Sequence, residues 1–349
     1  MNSQEKIRIA ISCGDINGVG LEVALKSLSD SRIFENCTPI IYANERTVKF
    51  HMKRSELELP LHVCANADKS HANKVNVINV FAENVRTEFG QLTQEAGQCA
   101  FTSLKAAVED LASNKVDAIV TAPINKSNIQ SEEFKFPGHT EFLAAYANED
   151  NPLMILAHEE LRVALVTGHV SLKDVSRSIS RESILTKLEV FAKSLNIDFG
   201  INRPKIAVLS LNPHSGDKGL LGEEEIEIIA PAIAEAKDRG ILAFGPFASD
   251  GFFGSKQREN YDGVLAMYHD QGLAPFKALA FDGVNFTAGL PIVRTSPDHG
   301  TAFDIAGKGL ADPTSFRNAI FLACDIYNCR KFQRELQSNQ LQTASDKAY

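Results

Sequence analysis

The sequence of 349 residues contains no tryptophan and only six cysteines, which are scattered and form no Cys-x-x-Cys pair. Zinc knuckles and disulfide frameworks need clustered cysteines, so we expect reduced thiols. Basic residues are fewer than acidic ones, with 36 Lys and Arg compared with 44 Asp and Glu, so the net charge is −8. Nucleic-acid binders usually carry a basic domain or stripe, so this class of partner is disfavoured.

Long apolar runs are missing as well. No segment approaches the ~18 consecutive apolar residues of a membrane helix. The first residues, MNSQEKIRIAISC, lack the apolar region of a secretory signal. We therefore expect a cytoplasmic protein without membrane contact. Hydrophobic residues at 44% and charged residues at 23% are ordinary globular values, and the length suggests two domains.

Short β-branched runs alternate with longer amphipathic segments along most of the chain. Strands are predicted at 7–12, 38–42, 118–121, 163–167, 206–211 and 264–268, and helices at 18–28, 97–113, 181–195 and 223–238. This alternation predicts an α/β fold with a largely parallel sheet. Residues 43–93 are polar and poorly patterned, and no element is predicted there.

Three histidines share one local setting, a position just after an apolar strand. His169 follows VALVTG, His214 follows IAVLSLNP, and His269 follows VLAMY. Ligands of open α/β sheets bind beyond the carboxyl ends of the strands, where these imidazoles could converge. Three neutral histidines with one open position are typical of a catalytic divalent metal, and zinc is the best match. For any one of them alone, capping or simple hydrogen bonding is the commoner role.

The remaining histidines divide between polar segments and other motifs. Those in polar or helix-edge segments are expected at the surface: His51, His62, His71 and His158. His139 belongs to the motif PGHTEF, where Thr140 is expected to cap a helix of sequence EFLAAYA. The free N–H groups of a helix start can hold an anion such as phosphate. An ordinary helix cap would explain the same motif.

A second candidate anion site surrounds Arg294, which follows the apolar run LPIV. Arginine can hold a carboxylate or phosphate bidentately, which lysine cannot do. Lys277 and Asn285 flank the segment ALAFDGV and could face either a cleft or solvent. The segment AFDIAGKG, which begins at Ala302, is expected to be helical.

Several well-known fingerprints are absent. The glycines of residues 14–20 fit neither the GxGxxG nor the Walker spacing, so an ordinary turn between a strand and a helix is expected there. No GxSxG elbow, HExxH helix or DxDxDG loop occurs, which disfavours serine hydrolases, zincins and EF-hands. The residues alone therefore indicate a metal-dependent α/β enzyme that acts on an anionic metabolite.

Six motifs add a family resemblance: TAPINK, FPGHTEF, VTGHVSL, LNPHSG, YHDQGLAPFK and RTSPDHGTAFDIAGKG, in this order. Together they resemble the 4-hydroxythreonine-4-phosphate dehydrogenase family of pyridoxal phosphate biosynthesis, over residues 7–318. The resemblance implies an isocitrate-dehydrogenase-like α/β fold, a homodimer, and two α/β/α domains that flank an active-site cleft. We expect residues 1–130 plus 285–349 to form the first domain and residues 131–284 to form the second.

The resemblance also implies an activity and a set of site residues. The activity is NAD- or NADP-dependent oxidation of 4-phosphohydroxy-L-threonine, followed by decarboxylation to 3-amino-2-oxopropyl phosphate. By matching motifs, the ligands of a divalent metal (Zn, or alternatively Mg or Co) at the dimer interface are His169, His214 and His269, contributed by both chains. The substrate-binding residues are His139, Thr140, Lys277, Asn285 and Arg294. Candidates for proton transfer are Asp270 and Lys277, or a relay of Asp298 with His299; no cofactor-binding residue is assigned.

The first loop departs from the family pattern, and other activities stay open. The loop GDINGVGLE has Ile16, Asn17 and Leu21 where the family usually has proline, alanine and proline. Within the family, an alternative substrate is a four-carbon sugar-acid phosphate such as 4-phosphoerythronate or 4-phosphothreonate. An aromatic cis-dihydrodiol is disfavoured, because it would not need a phosphate site. From other classes, a metal-dependent hydrolase and a metal-free acyltransferase remain alternatives.

Overall fold

The computed structural model describes residues 6–338, in which strands and helices alternate. The strands are β1 (Ile7–Ser12), β2 (Cys37–Ala43), β3 (Leu61–Val63), β4 (Val75–Asn79), β5 (Ala118–Thr121), β6 (Leu153–His158), β7 (Leu161–Leu165), β8 (Lys205–Leu209), β9 (Leu242–Phe247), β10 (Gly263–Ala266), β11 (Val284–Ala288) and β12 (Arg294–Pro297). The α-helices are α1 (Gly20–Ser27), α2 (Ser31–Asn36), α3 (Glu45–Arg54), α4 (Gln94–Ala112), α5 (His139–Ala147), α6 (Val175–Ser178), α7 (Arg181–Ile197), α8 (Ala230–Asp238), α9 (Ser249–Phe253), α10 (His269–Leu279) and α11 (Thr314–Ser338). A π-helical turn, Glu225–Ile229, leads into α8.

Within this range the strands form one twelve-stranded sheet, in the order β3-β4-β2-β1-β5-β12-β11-β6-β7-β10-β8-β9. The strands from β3 to β12 in this order are parallel to one another, and so are β7, β10, β8 and β9. The strands β11 and β6 join these two sets. They are antiparallel to each other, β11 is antiparallel to β12, and β6 is antiparallel to β7. The predicted α/β fold with a largely parallel sheet is confirmed.

The two faces of the sheet are covered differently. On one face a single apolar core runs through both halves and includes side chains of α1, α7, α8 and α11. On the other face the core is divided into one cluster with α4 and α5 and another with α10. Between these two clusters the central strands present polar side chains instead: Thr121, Asn285, Thr287, Arg294 and Ser296. The gap above these side chains is a deep cleft.

Two segments differ from their predicted structure. Residues 43–93 contain α3, β3 and β4, although no element was expected there. Residues 302–309, expected to be helical, form consecutive turns. The backbone leaves the helical conformation at Gly307, which has a φ of +72°. A Cβ on this glycine would lie only 2.5 Å from the ring of Phe89. Close packing against Phe89 therefore requires glycine and a non-helical backbone here.

The first loop is a strand-to-helix turn, as predicted, and it braces the segment after β5. The Asp15 backbone N–H donates to the Pro123 carbonyl at 2.9 Å, and the Asp15 carboxylate accepts from Asn128 Nδ2 at 2.8 Å. Burial raises the pKa of Asp15, and hydrogen bonds from Asn128 and Asn17 oppose this shift. Gly14 has a φ of +63°, and a Cβ on it would lie 2.3 Å from the Pro123 oxygen. Only glycine permits this close approach.

His51 lies in the core, which corrects the expectation of a surface position. Its side chain is 1% exposed, and Nε2 lies 3.0 Å from the Ile16 carbonyl oxygen of the first loop. Burial lowers its pKa to about 4. The helical pattern of α3 was missed, and with it the inward direction of this side chain. Among residues 6–338, no helix has the length and apolarity that a bilayer span requires.

Candidate active site

The cleft above the central strands has a volume of about 730 Å³ and draws its lining from both halves of the sheet. Predicted site residues that line it are His139, Thr140, His169, His269, Asp270, Lys277, Asn285 and Arg294. Asp298 and His299 line it as well. Ten of the eleven residues predicted to bind metal or substrate or to transfer protons thus surround one cavity, and His214 is the exception.

Arg294 forms part of the cleft floor, at the first residue of β12. The side chain is buried, and it donates from Nη2 to Thr121 Oγ1 at 2.7 Å and from Nη1 to Thr287 Oγ1 at 3.1 Å. Burial lowers its pKa to about 10, and the charge of Glu141 opposes this shift. No carboxylate within residues 6–338 forms an ion pair with the guanidinium. A buried charge held only by hydroxyl groups is costly, and an anion in the cleft would compensate for it.

The helix α5 starts at the edge of the cleft, two residues earlier than predicted. Its N-cap is Gly138, in extended conformation and without a side-chain cap, so Thr140 is not the cap. The free N–H groups of the first turn therefore lie beside the cleft that His139 and Thr140 line. Burial, followed by the charges of Arg294 and Lys126, lowers the pKa of His139 well below its usual value. The imidazole is neutral at physiological pH.

Several buried polar atoms at the cleft have no hydrogen-bond partner within the described residues. They are His139 Nε2, Asn285 Oδ1 and His299 Nε2. The other ring nitrogen of His299 lies 3.0 Å from the Gly300 carbonyl oxygen, which makes Nε2 the acceptor in the neutral ring. More than about 90% of buried polar groups in proteins are satisfied, so three such atoms around one cavity indicate a missing polar ligand.

On the opposite wall, His169 and His269 face each other. Their ring centroids are 5.9 Å apart, with the planes inclined by 36°. Burial, with a smaller effect of Lys126, lowers the pKa of His169 and favours the neutral ring that binds metals. His269 Nδ1 lies 2.7 Å from Asp270 Oδ1, an arrangement that leaves Nε2 free. Carboxylates that orient the second nitrogen of a histidine in this way are usual at metal sites.

His214 is exposed and does not line the cleft. It begins a run of left-handed backbone, with φ of 53° at His214 and 53° at Ser215. The buried carboxylate of Glu225 holds this turn by accepting from the N–H groups of Leu211 at 2.8 Å and Asn212 at 2.7 Å. Among residues 6–338 no three potential ligands lie close enough to hold a metal ion. One chain therefore brings together two of the three predicted histidines.

Lys277 and Asp298 form an ion pair at the rim, with Nζ and Oδ2 3.2 Å apart. Burial raises the pKa of Asp298, although Lys277 opposes the shift. The cleft also contains cationic and acidic residues to which the sequence analysis assigned no role, Lys126 and Glu141. Both lie in motifs quoted above, TAPINK and FPGHTEF, but nothing in their local pattern separates them from surface charges.

Comparisons with known proteins agree with this arrangement. The family model described as "Pyridoxal phosphate biosynthetic protein PdxA" matches residues 35–323. A 4-hydroxythreonine-4-phosphate dehydrogenase of Bacteroides thetaiotaomicron is 51% identical over 340 residues, which cover 97% of this chain and 93% of that protein. A putative D-threonate 4-phosphate dehydrogenase of Oceanobacillus iheyensis is 38% identical over 323 residues, covering 91% of this chain and 97% of that protein.

A solved structure shows the same fold. The 4-hydroxythreonine-4-phosphate dehydrogenase of Klebsiella pneumoniae superposes with a TM-score of 0.82 at 36% identity, over 94% of this chain and 99% of that one. The family resemblance recognised in the motifs is thereby confirmed. The chain belongs to the PdxA family of pyridoxal phosphate biosynthetic proteins.

Proposed function

We propose that this protein is a 4-hydroxythreonine-4-phosphate dehydrogenase, which oxidises and decarboxylates 4-phosphohydroxy-L-threonine with NAD or NADP in the cytoplasm. The observation that carries the proposal is one cleft with two chemically different walls. One wall presents a buried arginine without a carboxylate partner and the start of a helix; the other presents two histidines whose rings face each other. A substrate with a phosphate at one end and an oxidisable alcohol at the other fits this division.

The phosphate belongs at the wall formed by α5 and Arg294. A guanidinium that is already oriented by two threonines can donate to phosphate oxygens without losing much side-chain freedom. The free N–H groups of the first turn of α5 and the hydroxyl of Thr140 add further donors. His139 Nε2 and Asn285 Oδ1, both without partners, are then satisfied by the rest of the substrate.

A divalent metal fits the other wall in its chemistry. His169 and His269 would each offer a neutral nitrogen, and Asp270 holds the ring of His269 in place. When bound, such a metal polarises the substrate hydroxyl and the carbonyl that replaces it. Two ligands do not make a structural or catalytic zinc site, which uses three or four protein groups. The remaining ligand we assign to His214 of a second copy of the chain.

Apolar side chains around these histidines support an interface between two copies. Val170 and Leu172 follow His169 with exposures of 39% and 75%, and Leu220 and Leu221 follow the His214 turn with exposures of 78% and 44%. Exposed apolar groups that lie close together are typical of protein interfaces. We therefore propose a homodimer with a shared metal site, in which residues 131–284 form the domain that makes the contact.

For proton transfer, the pair Lys277 and Asp298 is better placed than Asp270. Asp270 is engaged with His269, which gives it an orienting role. Asp298 has a raised pKa and lies beside an ammonium group, so the pair can exchange a proton with the substrate hydroxyl at the rim. A nicotinamide, when bound, accepts the hydride; holding the carbon against it is the contribution of the substrate contacts described above.

A substrate panel tests the activity. NADH formation would be followed with 4-phosphohydroxy-L-threonine, 4-phosphoerythronate, D-threonate 4-phosphate and an aromatic cis-dihydrodiol, each with and without chelator. We expect chelator-sensitive turnover that favours 4-phosphohydroxy-L-threonine. Preference for a sugar-acid phosphate would change the substrate and keep the site, whereas absence of NADH formation with every compound would reject the dehydrogenase and favour the hydrolase.

Mixing two variants tests the shared site. His169→Ala and His214→Ala are each expected to be inactive, because each removes one ligand from both sites of the dimer. In a heterodimer of the two, one site loses both ligands and the other keeps all three. After subunit exchange the mixture should therefore regain about a quarter of wild-type turnover. No regain, with heterodimers verified by mass spectrometry, would mean that the three histidines do not act across an interface.

A further inference from the structure

We infer that Lys126 is a further substrate-binding residue, whose ammonium group contacts the substrate phosphate together with Arg294 and the start of α5. This inference rests on the proposed phosphorylated substrate. Lys126 lies in the loop after β5, beyond the end of the strand that also supplies Thr121 to the cleft floor.

The side chain of Lys126 crosses towards the start of α5. It lines the same cavity as His139, Thr140 and Arg294. A Cβ placed on Gly138, the N-cap of α5, would lie 4.0 Å from Lys126 Cε. The carbon next to the ammonium group is therefore beside the free N–H groups of the helix. Both kinds of donor therefore lie at the start of α5, beside the same cleft.

Lys126 has no competing partner. Within the described range its Nζ forms no hydrogen bond and no ion pair, whereas Lys277, the other lysine of the cleft, pairs with Asp298. The carboxylate of Glu141 also lies beside the start of α5, with Oε2 3.4 Å from the same Cβ position on Gly138, but it forms no ion pair with Lys126 within the described residues. An unpaired ammonium at the cleft can bind an incoming anion without first breaking an ion pair.

The charge of the ligand requires a second cation. A phosphate monoester carries a charge of about −1.5 to −2 at neutral pH. Arg294 supplies one positive charge, and His139 supplies none because its ring is neutral. Lys126 already acts on this wall, since its charge contributes to the lowered pKa of His139. It is the remaining cation that can balance the phosphate.

The backbone around Lys126 is held while its side chain is left free. Asn128 Nδ2 donates to Asp15 Oδ2 at 2.8 Å and to the Thr93 carbonyl at 2.9 Å. Asn125 Oδ1 accepts from the Ser127 N–H at 2.9 Å. A fixed backbone places the ammonium group at low entropic cost, which is the usual design of a binding residue.

The test compares Lys126→Gln and Lys126→Arg with the control Lys135→Gln, an exposed lysine of the segment before α5 that does not line the cleft. Binding of inorganic phosphate to the full-length protein would be measured by calorimetry at low salt, and KM and kcat with 4-phosphohydroxy-L-threonine would be measured in parallel. We expect Lys126→Gln to weaken phosphate binding and raise KM about tenfold or more, with kcat changed much less. Lys126→Arg should retain most of the affinity, and Lys135→Gln all of it.

Unchanged phosphate affinity in Lys126→Gln, an equal loss in Lys135→Gln, or absence of phosphate binding by the wild type would each overturn the inference. The experiment distinguishes a failure of the role proposed for Lys126 from a failure of the proposed substrate. If phosphate binding depends on Lys126 but 4-phosphohydroxy-L-threonine is not oxidised, the binding residue is right and the substrate assignment is wrong.

Discussion

Replacement of Arg294 by methionine should separate ligand binding from stability. The guanidinium is 3% exposed and is held by hydroxyl groups of Thr121 and Thr287. If its purpose is to hold a phosphate, the variant should lose substrate affinity and keep its fold. If its purpose is structural, the variant should lose stability.

The expected magnitudes follow from these contacts. A hydrogen bond to a charged group contributes about 1.5–3 kcal/mol, and a bidentate contact to phosphate has two, so the loss is about 3 kcal/mol or more. This corresponds to a decrease in kcat/KM of about 150-fold or more, at 1.36 kcal/mol for each factor of ten. Two contributions to the free energy of unfolding have opposite signs. Loss of the bonds to the two threonines, which are also bonds to a charged group, costs about 1.5–3 kcal/mol each, whereas removal of a buried charge regains about 1–4 kcal/mol.

The assay is denaturant unfolding of the free protein, together with thermal melting in the presence and absence of substrate and with steady-state kinetics. We expect the free energy of unfolding of Arg294→Met to lie about 2 kcal/mol below that of wild type, and the rise in Tm on adding substrate to disappear. Thr287→Val is the matched control, because it removes one of the bonds to Arg294 and keeps the charge; it should lose much less affinity. A large loss of stability with normal KM would refute the argument, since the arginine would then serve the core.

Two further predictions concern the other wall and the first loop. Asp270→Asn should weaken Zn²⁺ binding about 10–100-fold, measured in competition with a fluorescent chelator, because His269 loses its orienting carboxylate. The exposed control Asp250→Asn should bind Zn²⁺ normally. Equal affinity of the two variants for Zn²⁺ would show that Asp270 does not belong to the site. The pKa of His51 is about 4 in the folded protein against 6.5 when unperturbed. The unfolded state thus binds the additional proton between these pH values, and the free energy of unfolding should fall as pH decreases, by at most about 1.4 kcal/mol per pH unit. His51→Gln should flatten this slope and His71→Gln, an exposed control, should not; identical slopes in all three proteins would contradict the burial of His51.

The predicted elements are most accurate where one strong pattern acts alone. The run IRIAIS predicted β1 over the residues that the structure shows, because isoleucine recurs at every second position, which is the period of a strand. The segment AFDIAGKG failed for the opposite reason. Its apolar spacing is helical, but contact between Gly307 and Phe89 holds it in turns, and Phe89 lies more than 200 residues away in the chain. Contacts of this kind are invisible to local patterns.

The segment from residue 43 to residue 93 shows a second limit. Helix α3 carries so many charged residues that its buried positions Thr47, Val48 and His51 do not stand out as an apolar face. At one of these buried positions, His51, the ring nitrogen Nε2 lies within hydrogen-bond distance of the Ile16 carbonyl oxygen of the first loop. A histidine that is buried because a distant loop offers an acceptor has the same sequence signature as a histidine in water.

The three candidate metal ligands were predicted by a rule about strand ends, and His214 shows how far that rule extends. The strands β7, β10 and β8 are adjacent and parallel, so His169, His269 and His214 do leave the sheet at the same edge. His169 and His269 continue directly into the cleft, but the turn after β8 is left-handed and is held so by Glu225. A strained backbone of this kind persists only where the surroundings enforce it, and it is concentrated at functional sites. This strained turn directs His214 outward, away from the cleft of its own chain. We therefore propose that His214 completes the metal site of a second chain.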